Sequence, residues 1–119
     1  MKPIISLLCF VLLFISCDDI IEEVDISNTL ITILAPTNNS ILDTTIVTFS
    51  WNTHKDIETY RLQIATPDFE NATQIVLDTL VSKTNHTQTL DYKDYEWRIR
   101  GENSVYQTEY TINSFIVEE

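Results

Sequence analysis

A two-residue alternation of apolar and polar side chains, repeated in several short stretches, constrains this chain more than any other feature. It is clearest in residues 45–52, where Phe49 and Trp51 lie on the same face, and it returns in residues 58–65 and 95–100. Because successive side chains of a strand point to opposite faces of its sheet, each stretch predicts a strand with one buried face.

Shorter stretches of similar composition complete the predicted set of strands. They are residues 30–34, which Pro36 ends, 73–80 at a sheet edge, 86–90 and 110–117, with turns predicted at 37–40 and 101–104. No segment shows a convincing helical period. About seven short strands of alternating pattern predict an all-β, two-sheet antiparallel sandwich with one solvated face on each sheet.

The first seventeen residues have the pattern of a secretory signal. Lys2 precedes an apolar run that begins at Ile4, and Ser16 is followed by Cys17. This resembles the lipobox of bacterial lipoproteins, although Phe14 stands where that pattern usually has Leu. The resemblance implies that residues 1–16 are removed and that Cys17 is joined to lipid. The alternatives are an ordinary secretory signal and an uncleaved membrane anchor, for which the run is short.

Lipidation at Cys17 would attach the protein to a membrane, and removal of the signal would leave its domain without a free cysteine. One acyl chain binds a membrane only marginally, and the resemblance implies two or three chains and therefore a durable attachment. Cys9 would leave with the signal, so that no cysteine would remain for a disulfide or a metal. Residues 29–119 would then form a single domain that is held together by its hydrophobic core alone.

Residues 17–28 are predicted to form an acidic, extended tether, because clustered carboxylates repel one another. Acidic residues directly behind the lipidated cysteine resemble a signal for export to the cell surface in some Gram-negative lineages. In other lineages, Asp at this place retains a lipoprotein in the inner membrane. The continued acidic run favours the outer membrane and the cell surface, with a periplasm-facing position as the alternative.

Charge and composition exclude several classes of function. The formal net charge is -11, and it becomes -12 when Lys2 is lost with the signal. Such a chain repels phosphate backbones, which excludes nucleic acid as a partner. The single glycine excludes phosphate-binding glycine loops. No catalytic motif and no cofactor-binding motif is present, so the sequence predicts that the protein is not an enzyme.

Three of these stretches carry a resemblance to a known family. The residues around Trp51, 60–64 and 95–100 resemble fibronectin type III-like, immunoglobulin-like domains of bacterial surface proteins, over about residues 30–117. The resemblance implies a seven-stranded antiparallel immunoglobulin-like sandwich with Trp51 in its core. Tyr95 would be the corner tyrosine, whose hydroxyl binds backbone upstream, and Asn103 also fits the family pattern. A weaker resemblance, over residues 33–64, is to N-terminal domains of starch-utilisation outer-membrane lipoproteins.

Three late tyrosines are the candidate contacts for a ligand or partner. Tyr92, Tyr106 and Tyr110 lie near predicted turns. On one exposed face they could stack on sugar rings or on a protein partner, because tyrosine combines apolar area with a polar tip. The alternative is that they cap the ends of the core.

Other candidate residues carry weaker signals. Thr44 and Thr79 follow Asp in a triplet that resembles a bacterial O-glycosylation pattern. Asn38, Asn71 and Asn85 fit the N-glycosylation triplet, which a bacterial lipoprotein would rarely use. Asp68, Glu70 and Asp78 are carboxylates that could bind calcium, but they lack the spacing of a dedicated calcium loop. His54 and His86 are isolated histidines without partner ligands for a metal.

The leading functional hypothesis is a lipid-anchored, non-enzymatic accessory subunit that interacts with other outer-membrane proteins. Its basis is the small size, the anchor at Cys17 and the absence of catalytic motifs. The alternative is a surface glycan-binding lipoprotein of a polysaccharide-uptake system. A small hydrolase is disfavoured, because it would need a cleft with converging polar groups.

Overall fold

The computed structural model of the protein describes residues 23–119. The predictions for the signal segment 1–16, for Cys17 and for residues 18–22 lie outside these residues. The described chain forms eight strands: β1 (Ile33–Ala35), β2 (Ser40–Leu42), β3 (Ile46–Trp51), β4 (Thr59–Thr66), β5 (Gln74–Val81), β6 (Asn85–Thr89), β7 (Asp94–Glu102) and β8 (Thr111–Val117). Across residues 23–119, the structure has no helix long and apolar enough to cross a membrane.

The strands form two sheets, which confirms the predicted all-β sandwich. The smaller sheet has the order β1-β3-β6 and the larger one the order β2-β8-β7-β4-β5. All pairs are antiparallel except β2 with β8. The prediction of seven antiparallel strands therefore needs one correction. The chain changes sheets after Pro36, and Ser40, predicted to lie in a turn, begins an extra strand parallel to β8.

The inward faces of the two sheets build one core dominated by aromatic residues. Trp51, Phe49 and Trp97 are each no more than 1% exposed, which confirms the prediction of Trp51 as a core residue. Phe49 on the smaller sheet meets Trp97 on the larger sheet edge to face, with ring centroids 4.9 Å apart. The core is completed by Leu62, Ile64, Ile99, Phe115 and Val117.

Residues 23–31, which we call the N-terminal lead, pack against the sandwich. Ile26 is 1% exposed and belongs to the core. Ser104 Oγ donates a hydrogen bond of 2.5 Å to Glu23 Oε1, and Asn103 Nδ2 donates one of 2.8 Å to the carbonyl of Val24. The packed body thus includes residues 23–28, which belong to the predicted tether 17–28.

The sandwich has two ends, which we name by the position of the N-terminal lead. The proximal end holds the lead and loops 52–58, 82–84 and 103–110. The distal end holds loops 43–45, 67–73 and 90–93. β7 has nine residues and runs from the distal to the proximal end, a length of about 26 Å at the usual rise per residue.

Gly101 lies within β7, so the predicted turn over residues 101–104 begins too early. An added Cβ at Gly101 would overlap the side chain of Ile57, with Cγ2 at 2.9 Å. Glycine is needed here for close packing rather than for chain reversal. The turn begins at Asn103, whose Oδ1 accepts hydrogen bonds from the backbone N–H of Val105 at 3.1 Å and of Tyr106 at 2.8 Å.

β5 is an edge strand of the larger sheet, as predicted for this segment, and β6 is an edge of the smaller one. Ile75 and Leu80 are about half exposed on β5. The single charged residue of β5 is Asp78, which accepts a hydrogen bond of 2.9 Å from Arg61 on β4. An edge strand leaves backbone groups unpaired and is a potential template for another chain.

Tyr95 has the role predicted for a corner tyrosine. Its side chain is 3% exposed, and its hydroxyl donates a hydrogen bond of 2.9 Å to the carbonyl of Asp91, four residues upstream. Burial, and next the charge of Asp91, raise the pKa of the Tyr95 phenol. Both facts tie the stability of this corner to a protonated hydroxyl.

We expect Tyr95→Phe to lower the free energy of unfolding by about 1 kcal/mol, because it removes one buried hydrogen bond. Equilibrium urea unfolding measures the change, and Tyr92→Phe at an exposed tyrosine is the control. Because the folded-state pKa is raised, this contribution is present below about pH 10 and is lost as the pH rises through the folded-state pKa. Equal effects of the two substitutions would contradict the assigned role.

Candidate functional site

The outer face of the larger sheet holds all three arginines of the chain, Arg61 on β4 and Arg98 and Arg100 on β7. They point outward because they alternate with buried residues such as Trp97. The strand register places Arg61 opposite Arg100 and Gln63 opposite Arg98. We call this surface the arginine face; it consists of Arg61, Gln63, Phe69, Asp78, Arg98, Arg100, Glu102 and Tyr110.

Two of the three arginines are paired with carboxylates. Arg61 Nη1 lies 2.9 Å from Asp78 Oδ1, and Glu102 Oε2 accepts hydrogen bonds from Arg61 Nε at 3.4 Å and Arg100 Nε at 3.0 Å. The hydrogen bond from Arg61 lowers the pKa of Asp78, and the same bond raises the pKa of Arg61. Because these groups are partly exposed, each pair stabilises the fold only weakly.

Arg98 is held differently, between two aromatic rings. Its guanidinium carbon lies 4.0 Å from the ring centroid of Phe69 and 4.4 Å from that of Tyr110. Its Nε donates a hydrogen bond of 2.7 Å to Gln63 Oε1. Among residues 23–119, no carboxylate lies within ion-pair distance of Arg98. The rings therefore fix the orientation of a cation whose charge is not paired locally.

The terminal nitrogens of Arg98 are not fully buried, and the residue is half-buried as a whole. They make no hydrogen bond to residues 23–119, and they are not among the buried polar atoms of these residues that lack a partner. Their N–H groups form the planar fork that matches a carboxylate in a bidentate contact. The arrangement thus presents a preorganised donor to a ligand that approaches the sheet from outside.

Aliphatic side chains border the arginine face. Ile75 and Leu80 on β5 are 52% and 48% exposed, and Ile112 on β8, opposite Arg98, is 46% exposed. Of the three arginines, two are paired with Asp78 and Glu102, and Glu96 lies just outside the face, where its Oε1 accepts a hydrogen bond from the backbone N–H of Phe69. The face is therefore close to neutral on a chain of formal charge -11.

The three candidate tyrosines do not share one surface. Tyr92 is 51% exposed in the loop between β6 and β7, at the distal end. Tyr106 packs against the core at the proximal end. Tyr110 is half-buried just before β8, where Arg100 also approaches its ring, at 4.7 Å. Only Tyr110 belongs to the arginine face, and sequence reasoning did not identify Arg98 or Phe69 as its partners.

The weaker candidates lie apart from one another. Asp68 Oδ1 accepts a hydrogen bond from the N–H of Asn71, whereas Asp78 is paired with Arg61. His54 Nδ1 accepts a hydrogen bond from the N–H of Asp56, and the ring of His86 bonds Gln88 on β6. Within residues 23–119, no group of three potential metal-ligating side chains comes together.

The candidate glycosylation residues differ in accessibility. Thr44 is exposed, and its Oγ1 accepts a hydrogen bond of 3.2 Å from the N–H of Ile46. Thr79 is half-buried on β5 opposite Leu62, on the side of the sheet that faces the core. The three asparagines of N-glycosylation triplets are exposed: Asn38, Asn71 and Asn85. Of the two threonines, Thr44 is therefore the more accessible to modification.

Comparison with known proteins identifies the fold. No family model and no curated protein matches the sequence. The fibronectin(III)-like modules of Clostridium thermocellum CbhA superpose with a TM-score of 0.55 at 6% identity, covering 75% of this chain and 96% of that chain. A fibronectin type III domain derived from human KIAA0970 protein gives 0.50 at 14% identity, covering 75% and 74%. The chain thus has a fibronectin type III fold.

We expect Tyr110→Leu to lower the free energy of unfolding by about 1 kcal/mol, because it keeps apolar area but removes the ring contacts with Arg98 and Arg100. Urea unfolding measures the loss, and Tyr92→Leu, which removes an exposed ring at the distal end, is the matched control. If the two variants are equally stable, the aromatic contacts of Tyr110 do not hold the arginines in place.

Proposed function

We propose that the protein is a lipid-anchored, non-enzymatic accessory module of the bacterial outer membrane that binds a protein partner through the arginine face. The observation that carries the proposal is Arg98, a cation stacked between Phe69 and Tyr110 whose terminal nitrogens have no hydrogen-bond partner in residues 23–119 and are not fully buried. The all-β fold provides a rigid platform for this surface. The partner contact is expected to include a carboxylate.

Arg98 would lose little conformational entropy when it binds a partner. A free arginine side chain loses rotamer freedom when it binds, and the two rings and Gln63 have already removed much of that freedom from Arg98. Arginine and aromatic residues are enriched among the residues that dominate binding energy. Exposed Ile112, opposite Arg98, supplies apolar area beside the cation, and exposed Leu80, opposite Arg61, supplies more at the border of the face. These features support a protein partner with acidic and aliphatic side chains.

The same geometry gives less support to a glycan site. Stacking on sugars requires aromatic rings with a free face, and Tyr110 contacts arginines while Tyr106 packs on the core. Tyr92 remains as a single exposed ring at the distal end. A protein partner is therefore the better supported proposal, and binding on a glycan array that depends on Tyr92 would favour the alternative.

Anchoring is tested at Cys17. We expect the wild-type protein to incorporate labelled palmitate and to float with membranes, and Cys17→Ser to do neither, because the sulfur carries the acyl chains. Cys9→Ser, within the predicted signal, is the matched control and is expected to keep both properties. Unlabelled wild-type protein, or a labelled Cys17→Ser variant, would contradict anchoring at this residue.

Partner binding is tested at Arg98. We expect Arg98→Gln to weaken partner binding by at least about tenfold in Kd, a loss of 1.4 kcal/mol or more, and therefore to reduce partner recovery in affinity purification from detergent-solubilised native membranes. Arg98→Lys keeps the charge but not the planar fork, so its partner recovery is expected to lie between that of the wild type and that of Arg98→Gln. Lys55→Gln removes an exposed charge at the proximal end and is the control. Recovery unchanged by Arg98→Gln would contradict the proposed surface.

A further inference from the structure

We propose that the proximal end of the sandwich rests on the lipid surface and that Val105, at the tip of the 103–106 turn, enters the membrane interface. The inference rests on the lipid anchoring at Cys17 proposed above. It adds an orientation and a second membrane contact made by the folded domain itself. The arginine face then lies on the side of the anchored molecule, and Tyr92 lies on the end that faces away from the bilayer.

The chain leaves the folded body at the turn that joins β7 to β8. Glu23 Oε1 accepts hydrogen bonds from Ser104 Oγ at 2.5 Å and from the N–H of Ser104 at 3.4 Å. Val24 is bound through its carbonyl to Asn103 Nδ2, and Ile26 is buried in the core. The N-terminal lead is thus attached to the turn that joins β7 to β8, and the chain continues toward Cys17 from there.

The segment that connects Cys17 to the folded body is short. Only residues 18–22 separate Cys17 from Glu23, so the two Cα atoms are at most about 22 Å apart even when the segment is fully extended. β7 alone spans a larger distance, about 26 Å. A short tether fixed at the proximal end therefore keeps that end nearer to the bilayer than the distal end.

Exposed apolar side chains lie near that attachment. Val24, Leu30 and Val105 are 52%, 66% and 67% exposed, and all three belong to the proximal end. Asn103 Oδ1 accepts the backbone N–H groups of Val105 and Tyr106, which fixes the turn that presents Val105. Apolar side chains on a rigid tip gain free energy when they leave water for the acyl boundary.

Charge limits the depth and selects the lipid. The hydrogen bond from Ser104 lowers the pKa of Glu23, so this carboxylate stays ionised beside the tip. The exposed lysines of this end, Lys55 and Lys83, are outnumbered by its carboxylates, which besides Glu23 include Asp25, Glu58 and Glu109. Anionic headgroups would repel these groups, whereas neutral headgroups would not. The contact is therefore expected to be shallow and strongest on phosphatidylcholine or phosphatidylethanolamine.

The experiment uses full-length protein that has been processed and lipidated in a bacterial host and reconstituted in phosphatidylcholine vesicles. Once Cys17 is lipidated and Cys9 has left with the signal, an introduced cysteine is the single free thiol. Val105→Cys and Tyr92→Cys are labelled with the environment-sensitive fluorophore NBD. Both sites are more than half exposed and lie at opposite ends of the sandwich, so each is the control for the other.

We expect both variants to float with the vesicles. The Val105→Cys probe is expected to show a blue-shifted emission that nitroxide-labelled lipid quenches, while the Tyr92→Cys probe shows neither. Flotation without a shift at position 105, or with a larger shift at position 92, overturns the orientation and leaves the anchor in place. Failure of both variants to float removes the anchoring on which the orientation depends.

Discussion

The edge-to-face contact of Phe49 with Trp97 joins the two sheets at the centre of the molecule. It matters because both cysteines of the chain lie in its first seventeen residues, so residues 23–119 have no disulfide and depend on packing. Burying an indole contributes on the order of 5 kcal/mol. The Nε1 atoms of Trp51 and Trp97 are buried without a partner, which costs roughly 1–3 kcal/mol each. Packing therefore outweighs the unmet hydrogen bonds.

The same strand supplies the core and the candidate binding surface, because β7 places Trp97 inward and Arg98 outward. The alternation was visible in the sequence, and it was enough to predict that Arg98 would lie on the outer face. The stacking was not predictable, because Phe69 and Tyr110 come from loops 29 residues before and 12 residues after Arg98. No local pattern relates three such positions until the sheet order is known.

The features of the fold that could not be predicted likewise depend on contacts between residues far apart in the sequence. The strands with full alternation follow from periodicity, whereas the roles of Trp51 and Tyr95 were predicted from the resemblance to fibronectin type III-like domains. β2 was missed because its two apolar residues, Ile41 and Leu42, stand between polar stretches on both sides, and its pairing depends on β8, far along the chain. Gly101 was interpreted as a turn residue because glycine is common in turns. The structure instead requires glycine there because the side chain of Ile57, far away in the sequence, packs against it.

The pairing of Asp78 with Arg61 has a consequence for the behaviour of the protein in concentrated solution. The sequence of β5 is rich in aliphatic residues, and Asp78 is the one charge that discourages a second chain from adding to this edge. Because Arg61 lowers the pKa of Asp78, the carboxylate keeps its charge at a pH where a free aspartate would begin to lose it. The ion pair therefore keeps a charged group on this edge at a more acidic pH, and a charge on an edge strand opposes aggregation.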